Sequence, residues 1–236
     1  MRNLASRVIE WLGGHELAVM LGSLCVIAST WGFVRIASEV AEGRTRSFDD
    51  RILTALRVPG DLARPIGPEW ASETARDITA LGSTAVLLLA TLGVAGFLTL
   101  DRRYAAMAFV VVAVMGGWAL SVGLKSAFER PRPELVPHLM RVYFSSFPSG
   151  HSMMSAVVYG TLGSLLSSLV QRRRLKFYFL STAALLAGLV GLSRVYLGVH
   201  YPTDVLAGWS AGLAWSTLCW LVGRRLERQG TIEASV

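Results

Sequence analysis

The chain has 236 residues, 53% of them hydrophobic and 17% charged, with a formal net charge of +7 and a mean hydropathy of +0.48. Soluble domains typically carry about 25% charged residues, so the composition argues against a water-soluble enzyme and for a membrane protein of one domain, two at most. The excess positive charge forms no single stripe of the kind that binds nucleic acid; the cations cluster beside apolar runs, where a membrane surface attracts them, and no nucleic-acid partner is expected.

Residues 1–16 keep Leu4, Val8, Ile9 and Leu12 at helical spacing, as a short amphipathic lead-in would. They lack a long apolar core followed by a small-residue cleavage site, so no removable signal peptide is expected. A spanning helix needs about 20 mostly apolar residues. Stretches of that kind run near Leu17 to Ile36, Leu81 to Leu100, Tyr104 to Leu124, Met153 to Val170, Phe177 to Leu197 and Val205 to Val222. The expected fold is therefore all-α, a polytopic membrane bundle of about six transmembrane helices. Cys25 and Cys219 both fall inside apolar stretches and read as buried, unpaired thiols.

Two connections are long. The first, Ser38 to Thr79, mixes both charge signs and is broken by Pro59, Pro65 and Pro68. Within it Phe48, Ile52, Leu53 and Leu56 share one helical face, with Asp49, Asp50, Arg51 and Arg57 mostly elsewhere. That pattern fits an interfacial helix lying on the bilayer, and equally a solvated cap. The second, Lys125 to Phe147, carries Lys125, Arg130, Arg132 and Arg141 among Pro131, Pro133 and Pro137.

Six spans put both termini and the turns at Arg102-Arg103 and Arg172 to Lys176 on one face, and the two long connections with the 198–203 turn on the other. Of the 23 Lys and Arg residues, 11 fall on the first face and 12 on the second, so the positive-inside rule alone does not orient the bundle. The first face holds its cations in compact runs abutting spans, whereas the second interleaves them with carboxylates. The first face is accordingly placed in the cytoplasm, and the second outside.

Lys125, Arg130, Arg132, Arg194, His151, His200 and Asp204 all map to that second face. Ionisable groups at membrane depth are costly and are functional candidates by default, although a single cation at a span end often only snorkels to the interface. The planar forks of Arg132 and Arg194 match phosphate oxygens bidentately, and Lys125 adds a compact charge. Pro148-Ser149-Gly150-His151 precedes an apolar helix. Ser149 there reads as an N-cap, with backbone N–H groups, unhindered at Gly150, aimed at an anion. His200 and Asp204 stand four apart around Pro202, a spacing that lets a carboxylate hold one imidazole nitrogen and leaves the other free to attack. No His, Cys or carboxylate cluster has metal-ligand spacing, and no cofactor is expected.

Three segments together resemble the type 2 phosphatidic acid phosphatase superfamily, in its bacterial membrane lipid phosphatase branch. The family pattern is a Lys, six residues and Arg-Pro; then Pro-Ser-Gly-His; then Ser-Arg, five residues, His, three residues and Asp. Lys125 to Pro133, Pro148 to His151 and Ser193 to Asp204 match it without departure in type or spacing. The resemblance extends over most of Leu81 to Val222 and is less distinctive over residues 1–78. It implies that His200 is the nucleophile, forming a phosphohistidine, that Asp204 orients it, and that His151 protonates the leaving oxygen. Lys125, Arg132, Ser149, Gly150 and Arg194 would hold the phosphoryl oxygens without a metal; Arg130 and Arg141 lie outside the pattern and are not assigned.

The implied activity is hydrolysis of the terminal phosphate of a lipid phosphate or diphosphate at the outer face of the cytoplasmic membrane. Undecaprenyl diphosphate, phosphatidylglycerophosphate and phosphatidic acid are the candidate substrates. A lipid phosphotransferase, passing the phosphoryl group to a second lipid's hydroxyl, shares the same first half-reaction. A transporter would distribute its charges through the spans and break helices at their middles, and neither is seen here. The expected division is an N-terminal part at 1–78, a catalytic core at 79–224 and a cytoplasmic tail at 225–236.

Overall fold

Residues 14–140 and 145–230 are described by the computed structural model; Leu4, Val8, Ile9 and Leu12 of the expected lead-in, Arg141 and the last six residues lie outside them. Eight helices account for about three quarters of the described chain. They are α1 (Gly14–Ala41), α2 (Arg46–Ala55), α3 (Trp70–Ala80), α4 (Thr84–Leu100), α5 (Tyr104–Ala127), α6 (Gly150–Ser168), α7 (Arg173–Tyr196) and α8 (Pro202–Arg228). Between α2 and α3 a small antiparallel hairpin pairs β1 (Arg57–Val58) with β2 (Asp61–Pro65). The all-α expectation did not include that hairpin. Its turn passes through Pro59 and Gly60, and Gly60 has φ +85°, a conformation open to a residue without a Cβ.

The helices present apolar side chains outward. Leu21, Leu24, Ile27 and Trp31 on α1, Leu88, Leu89 and Leu92 on α4, and Val112 and Met115 on α5 are all exposed. Patches of this extent are not left facing water, and lipid is the solvent they suit. Inside, small residues let backbones close up. A Cβ at Gly208 would lie 2.6 Å from the Ser149 carbonyl oxygen, and one at Gly212 would lie 2.5 Å from that of Met153. This small-xxx-small pair on α8 is what allows α6 to lie against it so closely. The protein is a multi-pass membrane protein.

Four described helices, α1 (from Leu17), α5, α7 and α8, are long and apolar enough to cross a membrane, and a fifth span arises if α3 and α4, bent by 44°, count as one. Of the six expected spans, α6 does not meet that standard. Its face is Gly- and Ser-rich, with Ser152, Ser155 and Thr161 buried, because it packs between α7 and α8 and meets protein rather than lipid.

The expectation for Ser38 to Thr79 changes more. Leu53 is fully buried with Val195, Tyr201 and Val205, and Ile52 and Leu56 pack around them, so α2 docks onto the ends of α7 and α8. Asp49 and Arg57, expected off the apolar face, are buried as well, at 0% and 2% exposure. Two further apolar clusters lie at the same end of the bundle: Ala37, Phe147 and Ala207 in one, Ala75, Leu197 and Val199 in the other. That end is tied down from several directions, and the polar residues singled out by the sequence sit there.

Candidate active site

The sequence Pro148-Ser149-Gly150-His151 opens α6. Ser149 is its N-cap, with extended φ and ψ, and its hydroxyl oxygen accepts from the Ser152 N–H at 3.4 Å. The Ser149 N–H donates in turn to the Asp204 carbonyl at 3.0 Å, which stitches the start of α6 to the start of α8. Gly150 lies under the side chain of Lys125, from the last turn of α5: a Cβ there would come within 3.0 Å of Lys125 Cε. Lys125 Nζ donates to the Ser145 carbonyl at 3.1 Å.

Arg132 comes from the proline-rich connection and donates Nη1 to the Val199 carbonyl at 2.7 Å. The same nitrogen lies 3.3 Å from His200 Nε2. Arg194, in the last turn of α7, donates to Thr79 Oγ1 at 3.1 Å and touches Met140 Sδ at 3.0 Å, while its Nε is buried without a partner. His151 is within electrostatic reach of Arg194, His200, Lys125 and Arg132. The fold thus brings all eight sequence-selected residues, from four helices and two connections, to one end of the bundle.

His200 occupies the turn between α7 and α8. Its Nδ1 faces Asp204 Oδ2 at 3.4 Å. The carboxylate can only accept, so the ring proton sits on Nδ1, and the lone pair on Nε2 points toward Arg132. Burial drives the His200 pKa well below the ordinary value, and the charges of Arg194, Arg132 and Lys125 push the same way. The imidazole is therefore neutral at physiological pH. Burial also lowers the Arg132 pKa, against the attraction of Asp204. A neutral imidazole with one nitrogen held and the other facing a cluster of cations can attack an electrophile carrying negative oxygens.

Asp204 is fully buried and stands at the third position of α8, where its Oδ2 also accepts from the Tyr201 N–H at 2.9 Å. Its Oδ1 accepts from Arg130 Nη1 at 2.6 Å. Arg130, which the motif left without a role, is held in turn by Asp49 and lies 4.1 Å over the Tyr201 ring. Burial works against the charge of Arg130, but the Asp204 and Asp49 carboxylates prevail and raise its pKa. Sequence reasoning put Arg130 on the face of the site without assigning it a role, and missed Asp49, Thr203 and Thr79 as neighbours of the site. The available signal was Asp49 beside Phe48 and ahead of Ile52 and Leu53, a charge close to an apolar stripe, and it does not say which partner the charge meets.

Residues 85–228 match the family model of the PAP2 superfamily. The chain is 34% identical over 185 residues to phosphatidylglycerophosphatase B of Bacillus subtilis, covering 77% of this chain and 86% of that protein. It is 31% identical over 127 residues to a lipid A 1-phosphatase of Rhizobium etli, half of each chain. Among solved structures, that of the transmembrane PAP2-type phosphatidylglycerolphosphate phosphatase from Bacillus subtilis superposes with a TM-score of 0.76 at 30% identity, covering 86% of this chain and 98% of the other.

Proposed function

The chain belongs to the PAP2 superfamily, and we propose that it is a membrane phosphatase removing the terminal phosphate of a lipid phosphate through a phosphohistidine. The observation that carries this reading is the disposition of His200, with Nδ1 on Asp204 and Nε2 beside Arg132. In the first half-reaction Nε2 attacks phosphorus. The N–P bond forms as the bond to the lipid oxygen breaks, and His151 gives that oxygen a proton. In the second, water attacks phosphorus, His151 takes back a proton, and the P–N bond breaks to release inorganic phosphate.

Lys125, Arg132 and Arg194 neutralise the phosphoryl oxygens as charge moves onto them, and the start of α6 at Gly150 contributes an N–H donor beside the Ser149 hydroxyl. The orphaned Nε of Arg194 is one donor such an oxygen would satisfy. Because fixed cations supply this charge, EDTA should leave turnover intact; loss restored by magnesium or zinc would contradict the mechanism.

Phosphatidylglycerophosphate is the proposed substrate, supported by the likeness to the Bacillus phosphatase along most of both chains. Phosphatidic acid and undecaprenyl diphosphate are the alternatives. The test is phosphate release by purified protein in detergent from each of the three, with and without a lipid alcohol as acceptor. We expect inorganic phosphate from phosphatidylglycerophosphate at the highest kcat/KM, whatever the acceptor. Phosphoryl transfer to the acceptor instead of release would make the protein a phosphotransferase, and inertness toward all three would overturn the reading. We place the site on the outer face of the cytoplasmic membrane, with 79–224 as the catalytic core and 225–236 as a cytoplasmic tail.

A further inference from the structure

Two carboxylates buried to 0% exposure, Asp49 and Asp204, flank a single guanidinium, Arg130. Asp49 comes from α2, outside the stretch that matches the family model. Its Oδ2 accepts from Arg130 Nη2 at 2.8 Å and from the Thr203 hydroxyl at 2.7 Å, and its Oδ1 accepts from the Thr203 N–H at 3.0 Å. Arg130 Nη1 reaches Asp204 Oδ1 at 2.6 Å and Thr203 Oγ1 at 2.9 Å, and Nη2 also meets Thr45 Oγ1 at 3.2 Å. An isolated buried carboxylate is very costly unless it is paired and hydrogen-bonded, so these groups hold one another in place.

The division of the guanidinium has a consequence for the reaction. Arginine prefers to engage a carboxylate with two parallel N–H groups, one on each oxygen. Here Asp49 occupies Nη2, so Arg130 offers Asp204 only Nη1, on Oδ1. Oδ2 is left for the Tyr201 N–H and His200 Nδ1. Without Asp49, Nη2 could swing onto Oδ2 and compete with His200 for it.

We propose that Asp49 is a positioning residue for the phosphoryl-transfer reaction, acting through Arg130 to keep one oxygen of Asp204 on the nucleophilic imidazole. The proposal rests on the function read above for His200. It also gives the N-terminal connection a task in the chemistry: α2 brings Asp49 from well outside the motif-bearing segments, and the packing of Leu53 against Val195, Tyr201 and Val205 fixes where it arrives.

The test compares wild type, Asp49→Asn and Arg130→Lys with phosphatidylglycerophosphate in detergent micelles, with rates normalised to folded protein. Asn keeps the size of Asp and an acceptor for Thr203 but lacks the charge that holds Nη2; Lys keeps the cation and loses the fork. Both should lower kcat by about 10–100-fold, the scale of losing an outer-shell partner, with KM within about twofold because no phosphate ligand has changed. A purely structural role would lower the folded fraction and leave kcat per folded molecule as in wild type. That result, or wild-type kcat in both variants, overturns the proposal. If Asp49→Asn does not fold, Arg130→Lys carries the test alone; failure of both to fold assigns the cluster to the fold and also overturns it. His200→Ala is the control. Wild-type turnover there sinks the parent reading, whereas an inactive His200→Ala beside a fully active Asp49→Asn sinks only this one.

Discussion

At His200, burial and three cations act in the same direction, holding the ring neutral at pH values where an exposed histidine is half charged. The sign for activity follows. With His200 as the proposed nucleophile, protonating it would stop the reaction, and its folded-state pKa lies below 6.5, so the acid limb of kcat/KM should fall below pH 6.5. Arg132→Gln removes one of the cations that lower it and should move that limb to higher pH, besides weakening phosphate binding. A pH–rate profile in matched ionic strength checks both; a limb at or above 6.5 in wild type would contradict the electrostatics. Stability follows the same linkage. The unfolded chain takes up a proton on this histidine that the folded one refuses, so the contribution is present above about pH 6.5 and is lost as pH falls below it.

His151 has a separable signature. A general acid matters in proportion to how poor the leaving group is. Para-nitrophenyl phosphate, whose leaving group needs no proton, should partly rescue His151→Ala and should not rescue His200→Ala. Equal loss on lipid phosphate and on the aryl ester would mean that His151 serves some other purpose.

The residues proposed for the site could be picked out because each occupies a fixed offset within a short segment: Lys125 seven before Arg132, Ser149 two before His151, His200 four before Asp204. The support behind them could not. Asp49 meets Thr203 across 154 positions and Arg130 across 81. No local period encodes such a pairing, and along the sequence the charge on Asp49 is indistinguishable from one that faces water.

Among the elements, α6 carries His151 and α8 carries Asp204 just after the turn that holds His200, and the separation of the two helices is set by glycines. The Met153 carbonyl occupies the space that a side chain at Gly212 would need, and backbone cannot swing aside as a flexible side chain could. Gly212→Val should therefore cost about 1–3 kcal/mol, the usual range for overpacking, read as a lower midpoint of thermal unfolding in detergent. Gly93 on α4 is the control: a Cβ there would meet nothing within 4 Å, so it should accept Ala with little change. Equal tolerance at both sites would mean that α6 and α8 pack more loosely than these distances require. The bend between α3 and α4 and the hairpin at 57–65 were not legible in advance. Prolines in the connection announce a break without saying what forms on either side of it. The low hydropathy of α6 follows from its neighbours, which no window along the chain can see.

For the whole molecule, the exposed apolar belt fixes that the bundle crosses a membrane but not which way it faces. The nearly equal count of 11 and 12 cations leaves orientation to their grouping. With Cys25 and Cys219 replaced by Ala, a cysteine at Glu134 should react in intact cells with a membrane-impermeant thiol reagent. One at Gln171 should react only after lysis. The reverse pattern would invert the topology and turn the search toward lipids of the inner leaflet.

The central claim is that the phosphoryl group passes through His200, and it is tested most directly by trapping that group. Protein mixed with lipid phosphate labelled at its terminal phosphorus and quenched in alkali within the first turnover should carry label on one histidine. That label should be stable to base, labile to acid, located at residue 200 by peptide mass spectrometry, and missing from His200→Ala. Label on another residue, label that survives in His200→Ala, or full turnover by that variant would contradict the account.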